Sequence, residues 1–300
     1  MTRRDALGAV AGIGLAGLTA GSADAQSGNF RFVHFTDTHI QPELKAADGC
    51  RDCFAAINRQ KPDFALCGGD LVFDANEVSR QRVTDVFDLY AETAKRLEMK
   101  VHSVPGNHDV VGLSTKSGIA ATDRMYGKRY FEDKVGARYS SFEHKGWHFV
   151  LLDSIGITVE HSFVGRIDEE QLQWLKSDLG KTGRTKPIVM MTHAPLVSAV
   201  MQLVPDPGDK RGRFLVENST QVLDIIAPYK VKAVLQGHTH IRENVNYNGC
   251  QFITSGAVCG NWWKGLRLGH PEGFGVLTVK GQEISWRYET YGFQAVAKGG

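Results

Sequence analysis

Five short clusters of aspartate, asparagine and histidine recur along this chain of 300 residues, and each one follows an apolar run typical of a β-strand. Carboxylate, amide and imidazole groups are ligands for hard and borderline dications, and a bridging carboxylate can hold two ions about 3.5–4 Å apart. The sequence therefore predicts a site for two metal ions at the carboxyl ends of strands. The clusters are Asp37-Thr38-His39, Gly68-Gly69-Asp70, Gly106-Asn107-His108-Asp109, Thr192-His193-Ala194-Pro195 and Gly237-His238-Thr239-His240.

The spacing within the clusters indicates how they share the ions. Asp37 and His39 lie one residue apart where a strand leaves the sheet, so both can turn toward one ion, and His238 and His240 repeat this spacing. Asp70 follows two glycines, which allow close backbone approach and suit a bridging position. Asn107 of the third cluster and His193 of the fourth can complete the ligands of the second ion.

The first half of the chain alternates strands and helices. We predict strands over Phe30–Phe35, Asp63–Cys67 and Lys100–Val104, with helices over Cys50–Arg59 and Glu77–Glu98 between them. Connections of this βαβαβ kind imply parallel strands whose following loops gather at one edge of the sheet.

The second half begins with a hairpin predicted from Tyr139–Glu143 and Trp147–Asp153. A helix follows over Asp168–Leu179, with Asp168 as N-cap, Gln171 reaching back as a capping box and Gly180 as the stop. The pattern as a whole predicts an α/β (α+β) fold, a four-layer α/β/β/α sandwich of two mixed sheets. Its further strands are Pro187–Thr192, Val231–Leu235, Gln251–Thr254, Gly275–Val279 and Glu283–Tyr288.

Composition is that of an ordinary globular protein, 42% hydrophobic and 23% charged, with room for one large core or two small domains. The pattern of strands and helices favours one domain over residues 28–300. The formal net charge of +2 gives no basic surface for nucleic acid, so we expect no nucleic-acid partner. The oligomeric state cannot be read from these features.

The first 25 residues differ from the rest. Arg3-Arg4 precedes a mild apolar run, Ala9–Ala20, and Ala23-Asp24-Ala25 is a small-x-small cleavage site. We interpret residues 1–25 as a twin-arginine-type signal peptide, against the alternatives of an amphipathic helix or a membrane anchor. The apolar run falls short of the ~20 residues that span a bilayer. We therefore expect a periplasmic or secreted mature chain without a membrane span.

Five cysteines leave several roles open. Cys50 and Cys53 form a CxxC that could be a redox pair, a disulfide or half of a zinc knuckle, but no second CxxC completes the knuckle. Their place in a predicted helix favours plain packing, and a local disulfide or a Cys250/Cys259 disulfide is the alternative.

Together the five clusters resemble the calcineurin-like metallophosphoesterases, from Arg31 to about Val279. The resemblance implies a metallo-dependent phosphatase-like fold and a metal-bridging hydroxide as nucleophile. It also implies two divalent or mixed-valence ions of Fe, Mn or Zn, with His108 beside the leaving group and Asp109 orienting or charging that imidazole. The implied ligands are Asp37, His39 and His240 for the first metal, Asn107, His193 and His238 for the second, and Asp70 as the bridge.

Two departures narrow the subclass. Purple acid phosphatases have tyrosine three residues after the bridging aspartate, where this chain has Phe73, which argues against an iron–tyrosinate site. The later motif ends in Asp109 instead of the glutamate of Ser/Thr protein phosphatases. The clusters look more like those of small bacterial phosphodiesterases, including those acting on cyclic nucleotides. We therefore expect hydrolysis of a small phosphodiester, with a phosphomonoesterase as the runner-up and a non-catalytic phosphate- or metal-binding protein as the alternative class.

Two regions could contact the substrate. Trp262 and Trp263 could stack on a base or a choline-like group near the metals, or could seal a loop. The polar insertion Val197–Arg213 could cap the site or be solvated surface.

Overall fold

The computed structural model describes residues 28–203 and 211–296. The predicted signal peptide, and residues 204–210 of the polar insertion, lie outside these ranges. The strands are β1 (Phe30–Phe35), β2 (Phe64–Cys67), β3 (Lys100–Ser103), β4 (Ser140–His144), β5 (Trp147–Leu151), β6 (Ile155–Ile157), β7 (Phe163–Gly165), β8 (Ile188–Met191), β9 (Val231–Gln236), β10 (Arg242–Tyr247), β11 (Cys250–Ser255), β12 (Phe274–Lys280) and β13 (Glu283–Glu289). The helices are α1 (Ala46–Arg59), α2 (Arg80–Ala94), α3 (Arg129–Lys134), α4 (Glu169–Thr182), α5 (Val200–Leu203), α6 (Arg211–Phe214) and α7 (Ser219–Ile226).

The strands form two large mixed sheets, as predicted. The first has the order β13-β12-β1-β2-β3, and the second has the order β10-β11-β9-β8-β5-β4. Parallel pairing joins β1, β2 and β3 in the first sheet and β5, β8, β9 and β11 in the second. The carboxyl ends of these parallel strands therefore share one edge of each sheet.

An aromatic-rich core lies between the two sheets. The rings of Phe32 and Phe64 stack with centroids 5.1 Å apart, and Phe149 meets Phe32 edge-on at 5.4 Å. Such contacts add to the apolar area that the two sheets remove from water.

Helices cover the outer faces and complete the four layers. In α1, buried side chains recur at the helical spacing of Cys50, Cys53, Phe54 and Ile57, which presents one apolar stripe to the first sheet. Helices α4 and α7 cover the second sheet in the same way.

All five cysteines are buried and free of disulfides. Cys50 and Cys53 belong to the apolar stripe of α1, in agreement with a packing role. The alternative Cys250/Cys259 disulfide is contradicted, because Cys250 at the start of β11 and Cys259 in the loop after β11 lie in separate hydrophobic clusters.

The predicted helix stop was wrong by three residues. Gly180 lies inside α4, and the helix ends at Gly183, whose φ of 81° requires glycine. Asp168 caps the helix by accepting from the Gln171 backbone N–H. The Gln171 side chain bonds the Asp153 backbone and reaches back to the Asp168 carboxylate at 3.3 Å, so it does not take the Asp168 backbone N–H of a capping box. No helix in residues 28–203 and 211–296 is both long enough and apolar enough to cross a membrane.

Candidate metal centre

The structure brings the seven predicted metal ligands together at one edge of the sandwich. Each belongs to the loop that follows a parallel strand: Asp37 and His39 after β1, Asp70 after β2, Asn107 after β3, His193 after β8, and His238 and His240 after β9. The two sheets pack face to face, so loops far apart in sequence meet at this edge. The sequence prediction of a single cluster at strand ends matches this arrangement.

One group of donor atoms surrounds the Asp37 carboxylate. Asp37 Oδ1 lies 3.2 Å from His240 Nε2 and 3.8 Å from His39 Nε2, and the two imidazole Nε2 atoms are 3.1 Å apart. These side chains are buried at 0–2% exposure. Their oxygen and nitrogen atoms therefore converge on one small, water-poor point.

A second group adjoins the first through Asp70. Asp70 Oδ2 lies 3.4 Å from His39 Nε2 and 3.2 Å from His193 Nε2, and the latter atom is 3.2 Å from Asn107 Oδ1. His238 joins Asp70 and His193 within 4.8 Å. The Asp70 carboxylate thus lies beside the ring nitrogens of both groups, which is the position of a bridging ligand.

Hydrogen bonds to backbone carbonyls fix the tautomers of three imidazoles. His193 Nδ1 donates to the Gly68 carbonyl at 2.8 Å, and His240 Nδ1 donates to the Gly260 carbonyl at 2.7 Å. His238 is held the other way round, with Nε2 donating to the Arg213 carbonyl at 2.7 Å. In each ring this bond leaves the second nitrogen for the cluster, as in metal-ligating histidines.

The electrostatics of the cluster suit a dication. Burial lowers the pKa of His39 and of His238 to about 4, so both rings are neutral at pH 7. Burial alone would raise the pKa of Asp70, but the nearby His193 and His108 imidazoles hold it below its ordinary value. His193 has its pKa raised to about 9, because the attraction of Asp70 outweighs its burial. The carboxylate of Asp37 likewise helps to raise the pKa of His240. Two buried carboxylates with imidazoles beside them are a donor set that fits binuclear metal binding, in which a metal ion would take the place of the ring protons of His193 and His240.

Backbone strain is concentrated at the same residues. The φ angles are 55° at Asp37, 38° at His39, 52° at Asp70, 71° at His238 and 58° at His240, all in the left-handed region that side chains rarely adopt. Strain of this kind persists where the surrounding structure over-determines it, and it is common at ligand-binding sites.

Gly106 permits the closest approach in the centre. A Cβ atom at this position would overlap the Asp70 carboxylate and the Asp70 backbone nitrogen. The glycine of the third cluster is therefore part of the site, since only the absence of a side chain allows Asp70 to sit where it does.

His108 lies at the rim of the cluster. Its backbone N–H donates to Asp70 Oδ1 at 2.8 Å, and its ring is 4.7 Å from that of His39. The Nδ1 atom has no hydrogen-bond partner among the described residues. The imidazole is half-buried, adjacent to the cluster and free to act on a bound molecule.

Asp109 has a different role from the predicted one. Its carboxylate accepts the backbone N–H groups of Leu71 at 2.8 Å, Val72 at 3.2 Å and Gly106 at 2.8 Å. It makes no hydrogen bond to the His108 imidazole in the described part of the chain, so the prediction that it orients that ring is wrong. Burial, reinforced by repulsion from Asp70, raises the pKa of Asp109 to about 7. Its place is beneath the loops, where it ties the second cluster to the third.

The two tryptophans of the predicted substrate site separate. Trp263 is 1% exposed and packs beside Gly49 and Phe293, so it offers no ring face to a substrate, and this part of the prediction was wrong. Trp262 is half-buried, with its ring centroid 4.7 Å from that of His240.

Sequence reasoning missed Asn76. Its side-chain amide donates to the carbonyls of Asn107 at 2.9 Å and Val110 at 2.7 Å, which holds the third cluster in place. Its own N–H donates to Asp74 at 2.7 Å, a turn that the Asp74-Ala75-Asn76 sequence could have signalled.

Comparison with known proteins agrees with this architecture. A family model described as calcineurin-like phosphoesterase matches residues 30–242, which include all five clusters. The chain therefore belongs to the calcineurin-like phosphoesterase family, a family of metal-dependent phosphoester hydrolases.

Three individual proteins illustrate the range of its relatives. A 3′,5′-cyclic adenosine monophosphate phosphodiesterase of Haemophilus influenzae is 29% identical over 203 residues, which is 66% of this chain and 61% of that protein. A serine/threonine-protein phosphatase of Bos taurus is 24% identical over 253 residues, 83% of this chain and 74% of that protein. The crystal structure of a dimetal phosphatase from Danio rerio superimposes with a TM-score of 0.61 at 17% identity, covering 87% of this chain and 96% of that one. The last likeness confirms the predicted fold.

Proposed function

We propose that this chain is a binuclear-metal hydrolase of small phosphodiesters. The observation that carries this proposal is the convergence of seven oxygen- and nitrogen-bearing side chains, six buried and His238 half-buried, on two adjoining points, with the His108 imidazole at their rim. Two metal ions bound there would supply Lewis acidity, which acidifies water and neutralises the oxygens of the phosphoryl group. Asp37, His39 and His240 would hold the first ion, Asn107, His193 and His238 the second, and Asp70 both.

His108 is the proposed proton donor to the leaving oxygen. Its ring nitrogen Nδ1 has no partner among residues 28–203 and 211–296, and its backbone N–H is bound to the proposed bridging carboxylate of Asp70. That bond fixes the backbone of His108 beside the proposed bridging carboxylate, and the ring lies 4.7 Å from that of His39. General acid catalysis of this kind contributes typically about 10²–10⁴ in rate.

Two considerations favour a diester over a monoester. The Haemophilus influenzae relative is named as a phosphodiesterase of 3′,5′-cyclic adenosine monophosphate, and the third cluster ends in Asp109. The Bos taurus relative is named as a protein phosphatase, which makes a phosphomonoesterase the second candidate.

The test compares bis(p-nitrophenyl) phosphate with p-nitrophenyl phosphate after elemental analysis has identified Fe, Mn or Zn in the purified protein. We expect a higher kcat/KM for the diester, and we expect His108→Ala to lower kcat by about 10²–10⁴ while metal content stays unchanged. Asn107→Ala should lose activity together with metal. His144→Ala is the matched control, because His144 pairs with Asp63 away from the cluster. Faster monoester hydrolysis would favour the phosphatase, and hydrolysis of neither ester by metal-loaded protein would favour a non-catalytic binding protein.

We further propose that residues 1–25 direct export to the periplasm or the medium through the twin-arginine route. The paired Arg3-Arg4 and the Ala23-Asp24-Ala25 site support this assignment. Replacing both arginines by lysine should leave the full chain in the cytoplasm, and continued export of that variant would contradict the assignment.

A further inference from the structure

The loop of residues 259–270, here called the tryptophan loop, is attached to the candidate metal ligands at two points. The Gly260 carbonyl accepts the His240 Nδ1 hydrogen at 2.7 Å. Three residues later, Trp263 Nε1 donates to the His39 carbonyl at 3.0 Å, and its buried ring packs beside Gly49. The loop is therefore held rigidly against the centre, with Trp263 as its anchor.

This anchoring presents Trp262 beside the cluster. The Trp262 ring lies 4.7 Å from the His240 ring and 6.1 Å from the His39 ring, centroid to centroid. Its backbone φ is 48°, a strained value for a bulky side chain. Retention of such strain next to a candidate binding centre indicates a ring whose position matters for binding.

Arg267 lies over the same ring. Its guanidinium carbon is 5.4 Å from the Trp262 ring centroid, within cation–π range. The Arg267 Nε atom is buried without a hydrogen-bond partner, and the side chain forms no ion pair with any described residue. Mutual bonds between the Arg267 and His270 backbones turn the loop so that this cation returns toward the tryptophan. A half-buried guanidinium with an unsatisfied donor is costly unless a ligand completes it.

We propose that Trp262 and Arg267 form a recognition pair for phosphoesters that carry a planar aromatic group. The Trp262 ring stacks on that group, as a nucleobase stacks on an aromatic side chain, and Arg267 donates hydrogen bonds to the anionic part of the same molecule. Because the pair lies beside the proposed metal centre, its role rests on the proposed function and names the substrate class for it.

Binding measurements separate this role from catalysis. Isothermal titration of the metal-loaded protein with adenosine 5′-monophosphate and with ribose 5-phosphate compares two ligands that share a phosphate and differ in the base. We expect Trp262→Leu to lower the affinity for adenosine 5′-monophosphate by about tenfold or more and to leave the affinity for ribose 5-phosphate nearly unchanged. Arg267→Gln should lower the affinity for both ligands by about tenfold.

Matched variants keep the comparison specific. Trp262→Phe retains an aromatic face and should retain most of the preference for the base. Trp174→Ala removes a half-buried tryptophan that packs on Tyr139 away from the centre, and Lys264→Gln removes an exposed cation from the same loop. Neither should alter the affinity for either ligand, and elemental analysis should find equal metal in all variants.

Equal weakening of both ligands by Trp262→Leu would overturn the stacking role, as would no change in either. An effect of Lys264→Gln as large as that of Arg267→Gln would overturn the specific role of Arg267. These outcomes do not depend on turnover. A protein that discriminates the two ligands but hydrolyses no phosphoester would keep the recognition pair and lose the proposed function.

Discussion

The loops that follow the two sheets hold their candidate ligands in different ways. Those of the first sheet are bonded to one another: the Asp37 N–H donates to the Gly69 carbonyl at 2.9 Å, and the His39 N–H donates to the Asp70 carbonyl at 3.0 Å. Asp109 then ties the second cluster to the third through three backbone N–H groups. The oxygen donors are thus parts of one cross-linked unit.

The loops of the second sheet are also joined, by the bond from the Gly237 N–H to the His193 carbonyl at 2.9 Å, but their imidazole rings are held one at a time. His193, His238 and His240 each donate one ring hydrogen to a single backbone carbonyl, and those carbonyls belong to three separate segments. From this difference we expect a substitution in the cross-linked loops of the first sheet to displace several ligands together. A substitution that removes one ring's hydrogen bond in the second sheet should displace that one ligand.

The largest effect should follow from Gly106→Ala. The added Cβ overlaps the Asp70 carboxylate, so the proposed bridging ligand must move. We expect the loss of bound metal, measured by elemental analysis, and a fall of about 100-fold or more in diester hydrolysis, since a misplacement near 1 Å can cost this much. Gly180→Ala is the control, because its Cβ would meet nothing within 4 Å. Two bound metals and full activity in Gly106→Ala would contradict the claim that the loops of the first sheet hold their ligands as one unit.

Removing the cross-link itself should cost stability. Asp109→Ala leaves three buried N–H groups unpaired, and at about 1–3 kcal/mol for each the free energy of unfolding should fall by roughly 3 kcal/mol or more. Urea unfolding measures this loss. The exposed Asp88→Ala should change stability by no more than about 0.5 kcal/mol. A variant at Asp109 that keeps its stability and loses only kcat would restore the rejected role in orienting His108.

A smaller and more local effect is expected from Arg213→Ala. The Arg213 guanidinium lies 4.0 Å from the centroid of the Phe163 ring and is bonded to Ser162 Oγ at 2.5 Å, which steadies the carbonyl that holds His238. Loss of such support for a ligand typically weakens metal binding about 10–100-fold. Calorimetric metal titration should therefore show one of two sites weakened and the other intact. Arg211→Ala, on the same helix, should leave both intact, and equal weakening of both sites in Arg213→Ala would contradict independent support.

The smallest effect concerns His148, which lies in the second sheet beneath α4. Burial disfavours its charged form, but the Asp178 and Glu143 carboxylates at its two ring nitrogens outweigh this and raise its pKa above 6.5. The ion pairs therefore stabilise the fold fully below about pH 6.5, and their contribution is lost as the pH rises through the raised value.

We compare the unfolding free energies of wild type and His148→Gln between pH 6 and pH 9. The advantage of wild type should shrink as the pH rises, with metal content equal in both proteins. An advantage that stays constant or grows would show that the ring is not charged in the fold.

Ligand positions were predictable because they depend on local patterns. An apolar run fixes a strand, parallel pairing gathers the strand ends, and Asp37, Asp70 or His193 follows directly. The same logic fails for β10, an exposed edge strand whose polar sequence carries no apolar run. The prediction of a helix end at Gly180 fails for a similar reason, because a glycine can lie within a helix and does so here.

Contacts between distant segments could not be read from the sequence. Whether Asp109 faces His108 or the N–H groups of Leu71 and Val72 depends on a loop nearly forty residues away. Trp262 and Trp263 are identical neighbours, and only the packing of Trp263 against Gly49 of α1 separates the buried ring from the presented one. Which partner each of these side chains contacts depends on the tertiary structure, and the residue type alone does not determine it.

Titration of the metal-free protein with Mn²⁺, while hydrolysis of bis(p-nitrophenyl) phosphate is followed, tests the proposed binuclear centre most directly. We expect activity to appear with the second equivalent and to reach its plateau at two ions per chain. A plateau at one ion per chain, or two bound ions without hydrolysis, would contradict a binuclear phosphodiesterase.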